Sequence, residues 1–131
     1  MVDVFLLCVD RDGDANRRAV LDHLEDQAKP VIGPGRAFLA ENAWQEVEVW
    51  LLMGHDLPRQ WDWREIRQEV HPKERYYRPF AESRGVLDLP DEGRDVLARE
   101  VATRYGQIRG RCVEDIRRLE GRIGDWLKSR K

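Results

Sequence analysis

The sequence predicts an α/β fold, with a small, mainly parallel sheet followed by a helical C-terminal extension. An apolar, β-rich run opens the chain at Val2–Val9, and its apolar side chains fall on both faces, as in strands covered on both sides. Helical and strand-like patterns then alternate up to Gly54, which is typical of α/β proteins. Beyond Gly54 the patterns are helical only. A chain of 131 residues predicts a single domain, with a core over residues 1–54 and an extension over 55–131.

The elements of the first half follow from local spacing and from capping residues. Val20, Leu21 and Leu24 lie at helical spacing and predict a helix over Ala15–Ala28. Asn42 is a suitable N-cap for a second helix, and Gly54 suits its end. The loop, strand and helix predicted after the first helix lie at Lys29–Arg36, Ala37–Ala40 and Ala43–Met53.

Proline and glycine divide the second half into short helices. Pro72 and Pro90 suit the first turn of a helix, and Pro79 is expected to end or distort the helix that contains it. An apolar seam from Cys112 to Trp126 predicts the last helix. The extension is therefore expected to pack as a helical layer against the sheet.

Composition limits the function classes. Lys and Arg number 23 and Asp and Glu number 25, a formal net charge of −2, so binding of nucleic acid requires a local basic patch. No apolar run approaches the roughly 20 residues of a membrane span, and Met1–Asp10 lacks the basic start of a secretion signal. Cys8 and Cys112 show no metal-type spacing. We therefore predict reduced thiols in a cytoplasmic protein that makes no membrane contact.

Three carboxylates alternate where the first strand ends, at Asp10, Asp12 and Asp14. In open α/β sheets, ligands bind outside the carboxyl ends of the strands. Like charges this close are unfavourable unless water, a cation or Arg neutralises them. The spacing therefore predicts a Mg²⁺ (or Mn²⁺) site at these three residues. The alternative is an acidic turn in which Asp14 caps the next helix and the other two are solvated.

Two other motifs share part of this loop. A calcium EF-hand beginning at Asp10 requires Gly and Glu where Ala15 and Leu21 stand, and is excluded. A strand followed by Asp-x-Asp-Gly resembles the nucleophile loop of haloacid-dehalogenase-like phosphatases, which implies an aspartyl nucleophile at Asp10. That family usually has Thr or Ser where Asp14 stands, so phosphatase activity is the weaker alternative.

The strand ending in Asp-x-Asp also resembles the second half of a Toprim domain, the metal-binding module of topoisomerases, primases and OLD-type nucleases. The segment Glu46–Leu52 is similar to the "E-x-E-x-W-L-L" helix of a family of small Toprim-like bacterial proteins. Pro72–Glu74 and Arg109–Cys112 are similar to its C-terminal features. This resemblance implies a Rossmann-like sheet and Mg²⁺-dependent hydrolysis of phosphodiester bonds in nucleic acid. It also implies a role in anti-phage defence, beside a partner ATPase.

The resemblance assigns catalysis to Asp10, Asp12 and Glu46, with one departure. The family carries a Glu on a strand that precedes the Asp-x-Asp strand, and this chain begins at the Asp-x-Asp strand. Three alternatives stay open: another subunit supplies the Glu, Glu46 or Glu48 replaces it, or the protein is a non-catalytic interaction subunit. On the predicted helix Glu46 and Glu48 lie about 200° apart, so only one is expected to face the loop. The small sheet favours association with another copy or a partner subunit.

The remaining candidate residues are basic side chains and histidines. Basic residues would hold a nucleic-acid backbone beside the acidic loop, although ordinary solvated helix faces are the alternative. The candidates for this contact are Arg11, Lys73, Arg75 and Arg111. His55 and His71 have no Cys or acidic residue at zinc-like spacing apart from Asp56, so no zinc site is predicted.

Overall fold

The computed structural model describes residues 1–130 and has a mixed α/β architecture. Two parallel strands, β1 (Val4–Asp10) and β2 (Ala37–Ala43), are connected by helix α1 (Arg17–Ile32). The last residue of β1 lies opposite the last residue of β2. Both strands therefore end side by side at the same edge of the sheet, and the segments that leave them begin as neighbours.

Short helices make up the rest of the described chain. They are α2 (Glu48–Gly54), α3 (Trp63–Gln68), α4 (Arg78–Ser83), α5 (Arg94–Val101), α6 (Tyr105–Arg111) and α7 (Arg118–Ser129). Two π-helical turns, Lys73–Tyr77 and Val113–Arg117, precede α4 and α7. Two 3₁₀ turns, Pro90–Gly93 and Ala102–Arg104, flank α5. Across residues 1–130, each helix is too short or too polar to traverse a lipid bilayer.

The main hydrophobic core lies among the helices and not on the sheet. Val49, Leu52 and Met53 of α2 are completely buried, which makes α2 the centre of the core. The buried residues that surround it are Ile66, Tyr77, Phe80, Ala81, Leu97, Val101, Ile108 and Cys112. The helices predicted as an extension therefore supply most of the apolar burial that stabilises the fold.

The expectation that β1 is covered on both faces was wrong. Phe5 and Leu6 are 38% and 52% exposed, and Cys8, predicted to be buried in the strand, is also exposed. Within residues 1–130 the sheet has only two strands, and α1 and α7 pack against β2. One edge of β1 consequently has no neighbouring strand in this part of the chain.

The helix predicted for Ala43–Met53 was also wrong in its first turn. β2 continues to Ala43, Asn42 lies buried inside this strand, and α2 begins only at Glu48. Gln45 interrupts the helix pattern because its φ is +75°, in the left-handed region. Hydrogen bonds from the β1–α1 loop hold the segment in this shape and outweigh its helical periodicity.

A buried ion pair attaches the C-terminal helices to the end of β2. Asp115 is fully buried and accepts hydrogen bonds from the Trp44 backbone N–H (2.7 Å) and the Trp50 indole N–H (2.7 Å). The Arg67 guanidinium, 3% exposed, donates to the same carboxylate at 3.0 Å and also to Glu114. Because every partner is hydrogen-bonded, this charge pair positions the β2–α2 connector against the helical core.

Candidate metal centre

The β1–α1 loop and the β2–α2 connector are joined by hydrogen bonds at the carboxyl edge of the sheet. The Asp12 backbone N–H donates to the Gln45 carbonyl oxygen at 2.9 Å. The Gly13 N–H donates to the Gln45 side-chain oxygen at 2.9 Å, and the Val47 N–H donates to Asp10 Oδ1 at 2.8 Å. These bonds satisfy backbone groups that no strand or helix pairs, and they turn the connector towards the end of β1.

This arrangement brings together Asp10, Glu46 and Glu48. One carboxylate oxygen from each residue lies within 4.8 Å of the corresponding oxygens of the other two. The expectation that Glu46 and Glu48 cannot both face the loop was therefore wrong. Glu46 precedes the helix, so the 100° step of an α-helix does not apply between the two residues.

Glu48 is held in place by an arginine but keeps one oxygen without a partner. The Arg94 guanidinium donates to Glu48 Oε1 through Nη2 at 2.6 Å and through Nε at 3.0 Å. Glu48 is only 5% exposed, and its Oε2 is buried with no hydrogen-bond partner in residues 1–130. A buried carboxylate oxygen without a donor is costly, and a bound cation is one way to satisfy it.

Burial and neighbouring negative charges raise the pKa values of Glu46 and Asp10. Burial, followed by the negative charges of Glu48, Glu74, Asp10 and Asp12, raises the pKa of Glu46 from 4.5 to about 7. Burial also raises the pKa of Asp10, although the hydrogen bond from Val47 opposes this shift. A cation placed among these oxygens reverses both effects, because it favours the ionised forms.

A second group of possible ligands shares Glu46 with the first. Single ligand atoms of Glu46, His71 and Glu74 lie within 4.8 Å of one another. Glu69 Oε1 accepts a hydrogen bond from the His71 backbone N–H at 3.1 Å, and the buried Pro72 begins the helical segment that carries Glu74. His71 and Glu74 are three residues apart at the start of this segment, and residues at that spacing lie on the same side of a helix.

The other predicted metal ligands, Asp12 and Asp14, lie outside both groups of ligand atoms. Asp12 is exposed, with a φ of +52°, and it affects the cluster through its charge. Asp14 Oδ1 accepts a hydrogen bond from the Asn16 backbone N–H at 2.8 Å, which forms an Asx-turn before the helix. The N-cap of α1 is Asn16, so the expectation that Asp14 caps this helix was wrong. Of the three predicted metal ligands, only Asp10 meets Glu46 and Glu48.

The four basic residues predicted to contact nucleic acid all have partners within the protein. The Arg11 guanidinium stacks on Trp44, 3.9 Å from its ring centroid, and Lys73 lies 3.7 Å from a Glu92 oxygen. Arg75 forms an ion pair with Glu69 at 3.0 Å. Arg111 donates to the Met53 carbonyl oxygen at 3.2 Å and lies 5.8 Å from the centre of the Trp63 ring. Their contact with nucleic acid stays a prediction.

Sequence reasoning missed three side chains of this candidate site, for different reasons. His71 and Glu74 form a His-x-x-Glu pair, a visible signal that the search for zinc-like spacing overlooked. Arg94 pairs with Glu48 across 46 positions of sequence, and no local pattern indicates such a contact. Of these side chains, only the pair His71 and Glu74 could have been recognised from the sequence.

Comparison of the chain with protein-family models, with curated proteins and with solved structures gives no match.

Proposed function

We propose that this protein is a Toprim-like, Mg²⁺- or Mn²⁺-binding phosphodiesterase that acts on nucleic acid as a nuclease or a nuclease subunit. The observation that supports the proposal is the convergence of Asp10, Glu46 and Glu48 at the carboxyl ends of two parallel strands. This is the edge of an α/β sheet at which ligands bind. In this proposal, Glu46 and Glu48 replace the Glu that the Toprim resemblance leaves unassigned.

The residues present fit a hard divalent cation. All three side chains offer carboxylate oxygens, the ligands that Mg²⁺ and Mn²⁺ prefer. Glu48 Oε2 is buried and has no hydrogen-bond donor in the described chain, so the site contains an oxygen that a cation would satisfy. A bound divalent cation supplies Lewis-acid stabilisation of the phosphate charge and lowers the pKa of bound water.

The protein's own groups have separate roles in this proposal. The Val47 N–H orients Asp10, and Arg94 orients Glu48. Glu46 is 9% exposed and, with a pKa of about 7, it exchanges a proton near neutral pH. It therefore serves either as the general base for the attacking water or as a further ligand. Asp12 and Gly13, in the loop that follows Asp10, are exposed to solvent.

Cleavage assays with matched variants test the proposal. We expect the protein to cut DNA or RNA in the presence of Mg²⁺ or Mn²⁺, and both Asp10→Asn and Glu48→Gln to lower the rate at least about 100-fold. Asp88→Asn and Glu82→Gln are matched controls, because both residues are exposed and lie away from the cluster. Metal-dependent cleavage that persists unchanged in Asp10→Asn would refute the assignment.

A non-catalytic interaction subunit is the second candidate, and the exposed edge of β1 favours it. Phe5 and Leu6 of β1 are 38% and 52% exposed, and one edge of β1 has no neighbouring strand in the described residues. Such an edge is a template for pairing with another chain. The partner would be an ATPase, another nuclease subunit or a second copy of this chain. Calorimetry with Mg²⁺ and Mn²⁺ separates the two functions, because a purely structural module has no cation binding that depends on Asp10.

A further inference from the structure

We propose that β1 pairs in antiparallel orientation with β1 of a second copy of this chain, so that the two sheets join into one of four strands. The two-fold axis passes through Leu7 and is perpendicular to the sheet. Three features support this occupant: the open edge of β1, the charges at its two ends and an apolar row on α1. The inference concerns assembly and does not depend on the proposed catalysis.

Alternate residues of β1 direct their backbone groups away from β2. The Ala37 N–H donates to the Asp3 carbonyl oxygen at 2.9 Å. At the other end, the Arg11 N–H donates to the Ala43 carbonyl oxygen at 3.2 Å. In a parallel pair the residues between such positions point to the opposite side, so odd-numbered residues of β1 face β2. The residues whose N–H and C=O groups point to the other edge, where residues 1–130 place no strand, are Val4, Leu6 and Cys8.

The opposite edge of the sheet, on β2, is closed by charged side chains. The backbone groups of Ala40 point to that edge, and the Ala40 N–H donates to Glu25 Oε1 at 2.8 Å. The Ala40 carbonyl oxygen accepts hydrogen bonds from Arg18 at 2.8 Å and from Arg122 at 3.2 Å. Charged groups that cover an edge in this way oppose strand pairing. Within residues 1–130, β1 therefore offers the edge at which the sheet can be extended.

Helix α1 carries an exposed apolar row on its β1 side. Val20, Leu24 and Val31 are 49%, 38% and 82% exposed, and at about 100° per residue they fall within about 40° of one another. Arg18 and Glu25 lie about 140–160° around the helix from Val20. Because these two side chains reach the outer edge of β2, the apolar row faces away from that edge and towards β1.

Charge complementarity selects the register of the new strand pair. Antiparallel pairing of two such edges places even-numbered residues opposite even-numbered ones, so each possible register is centred on a residue. The register centred on Leu7 places Asp3 opposite Arg11 of the second copy, and the symmetry produces this pair twice. Registers centred one residue to either side place Arg11 opposite an apolar residue. Opposite charges across a strand pair stabilise it, so the centre at Leu7 is preferred.

The two residues of this ion pair are partly exposed in the single chain. Asp3 lies 3.4 Å from the guanidinium of Arg130, which is itself 45% exposed. The Arg11 guanidinium stacks on Trp44. A second copy therefore adds an ion pair at each end of β1 without breaking a buried one.

The same register joins apolar side chains along the middle of β1. The cross-strand pairs are Phe5 with Val9, Leu6 with Cys8, and Leu7 with its own copy. Phe5 and Leu6 are 38% and 52% exposed in the single chain, so pairing covers apolar surface on both faces of the strand. Because the axis is perpendicular to the sheet, both α1 helices lie on one face. Three strand spacings, roughly 14 Å, separate β2 from its copy, and the apolar rows of α1 flank the side chains between them.

Analytical ultracentrifugation of the whole chain over a concentration series, in reducing buffer without metal or nucleic acid, tests the assembly. We expect a dimer of two 15.4 kDa chains. Asp3→Arg should raise the dimer Kd at least about tenfold, because it turns both ion pairs into repulsions. Asp3→Arg combined with Arg11→Asp should return the Kd to within about threefold of the wild type. Asp88→Arg is the control, since Asp88 is exposed and lies outside β1 and α1.

Disulfide trapping under a mild oxidant tests the register. In a Cys8→Ser background, Leu7→Cys places two thiols at a non-hydrogen-bonded pair, where Cα atoms are about 4.5 Å apart and a disulfide can form. Leu6→Cys in the same background, and the native Cys8, place their thiols two residues out of step. We expect Leu7→Cys to cross-link at least about tenfold faster than either of these. Cys112 stays in every variant because it is buried.

A chain that stays monomeric up to about 100 µM would overturn the inference, and this is the result expected if a different protein supplies the neighbouring strand. A dimer that Asp3→Arg leaves unchanged would also overturn it, as would cross-linking that is fastest through Leu6→Cys. The assays contain no metal and no nucleic acid, so their outcome is separate from that of the cleavage test with Asp10→Asn.

Discussion

The raised pKa of Glu46 predicts that the metal-free protein becomes less stable as the pH rises through the acid range. The folded-state pKa of about 7 exceeds the value of roughly 4.5 expected in the unfolded chain. Between these values the native state binds more protons than the unfolded state, so the free energy of unfolding falls with increasing pH. A difference of about 2.5 pKa units at roughly 1.4 kcal/mol each sets an upper limit of about 3.5 kcal/mol. Solvent screening of the carboxylate reduces the expected loss above pH ~7 to about 3 kcal/mol or less.

Glu46→Gln removes this titration and retains the shape of the side chain. We expect the variant to match the wild type within about 1 kcal/mol near pH ~5, and to exceed it by up to about 3 kcal/mol near pH ~8. Urea denaturation in the presence of a chelator measures both free energies of unfolding. Glu82→Gln is the control, because Glu82 is exposed and lies outside both ligand groups.

The difference between the two proteins isolates Glu46, because other titrating groups contribute equally to both. A difference in free energy of unfolding that is the same at both pH values would contradict the reasoning, and so would a Glu46→Gln variant that is less stable near pH ~8. Added Mn²⁺ should stabilise the wild type more than Glu46→Gln at the higher pH, because the cation compensates the carboxylate charge.

Three further predictions concern the rest of the fold. Asp115→Asn should lower the free energy of unfolding by about 3 kcal/mol, because it removes the fully buried charged partner of the Arg67 guanidinium and leaves only the half-exposed Glu114; urea denaturation measures this. Gly93→Ala should cost about 3 kcal/mol in the same assay, since φ is +75° and a Cβ there would lie 2.6 Å from a carbonyl oxygen. Its control, Gly121→Ala, meets no atom within 4 Å and should be neutral or stabilising by roughly 0.5–1 kcal/mol. A thiol reagent should label Cys8 in the native protein but reach Cys112 only on unfolding, because Cys112 is buried and its pKa is raised to about 12; rapid native-state labelling at two thiols per chain would contradict this.

The sequence indicated the features that depend on short-range pattern. The β-rich run at the start forms β1, the segment after Gly33–Arg36 forms the parallel partner β2, and α1 connects them. Because both strands of a parallel pair end at one edge, the location of Asp10 at that edge also followed from the sequence. The mixed α/β class and the helical second half were confirmed for these reasons, since each depends on periodicity over about ten residues.

The local patterns failed where contacts distant in sequence decide the backbone. Residues 43–47 have helical spacing, yet they form the end of a strand and a turn, because Asp10, Asp12 and Asp115 bind their backbone groups. Those partners lie more than 30 positions away in both directions. The same bonds place the Glu46 and Glu48 carboxylates on the side of the connector that faces Asp10. The helix predicted for Ala43–Met53 had excluded this arrangement.

The sequence by itself determined the strand–helix–strand order, the acidic end of the first strand and the His-x-x-Glu spacing after α3. Only the tertiary structure decided which acids meet. Asp10 joins Glu46 and Glu48 while Asp12 and Asp14 stay outside, and Arg94 reaches Glu48 from α5. The physical reason is that the spacing of the acidic residues in the sequence fixes only which of them are neighbours along the chain. Their distances in space depend on the hydrogen bonds and buried ion pairs that hold separate segments together.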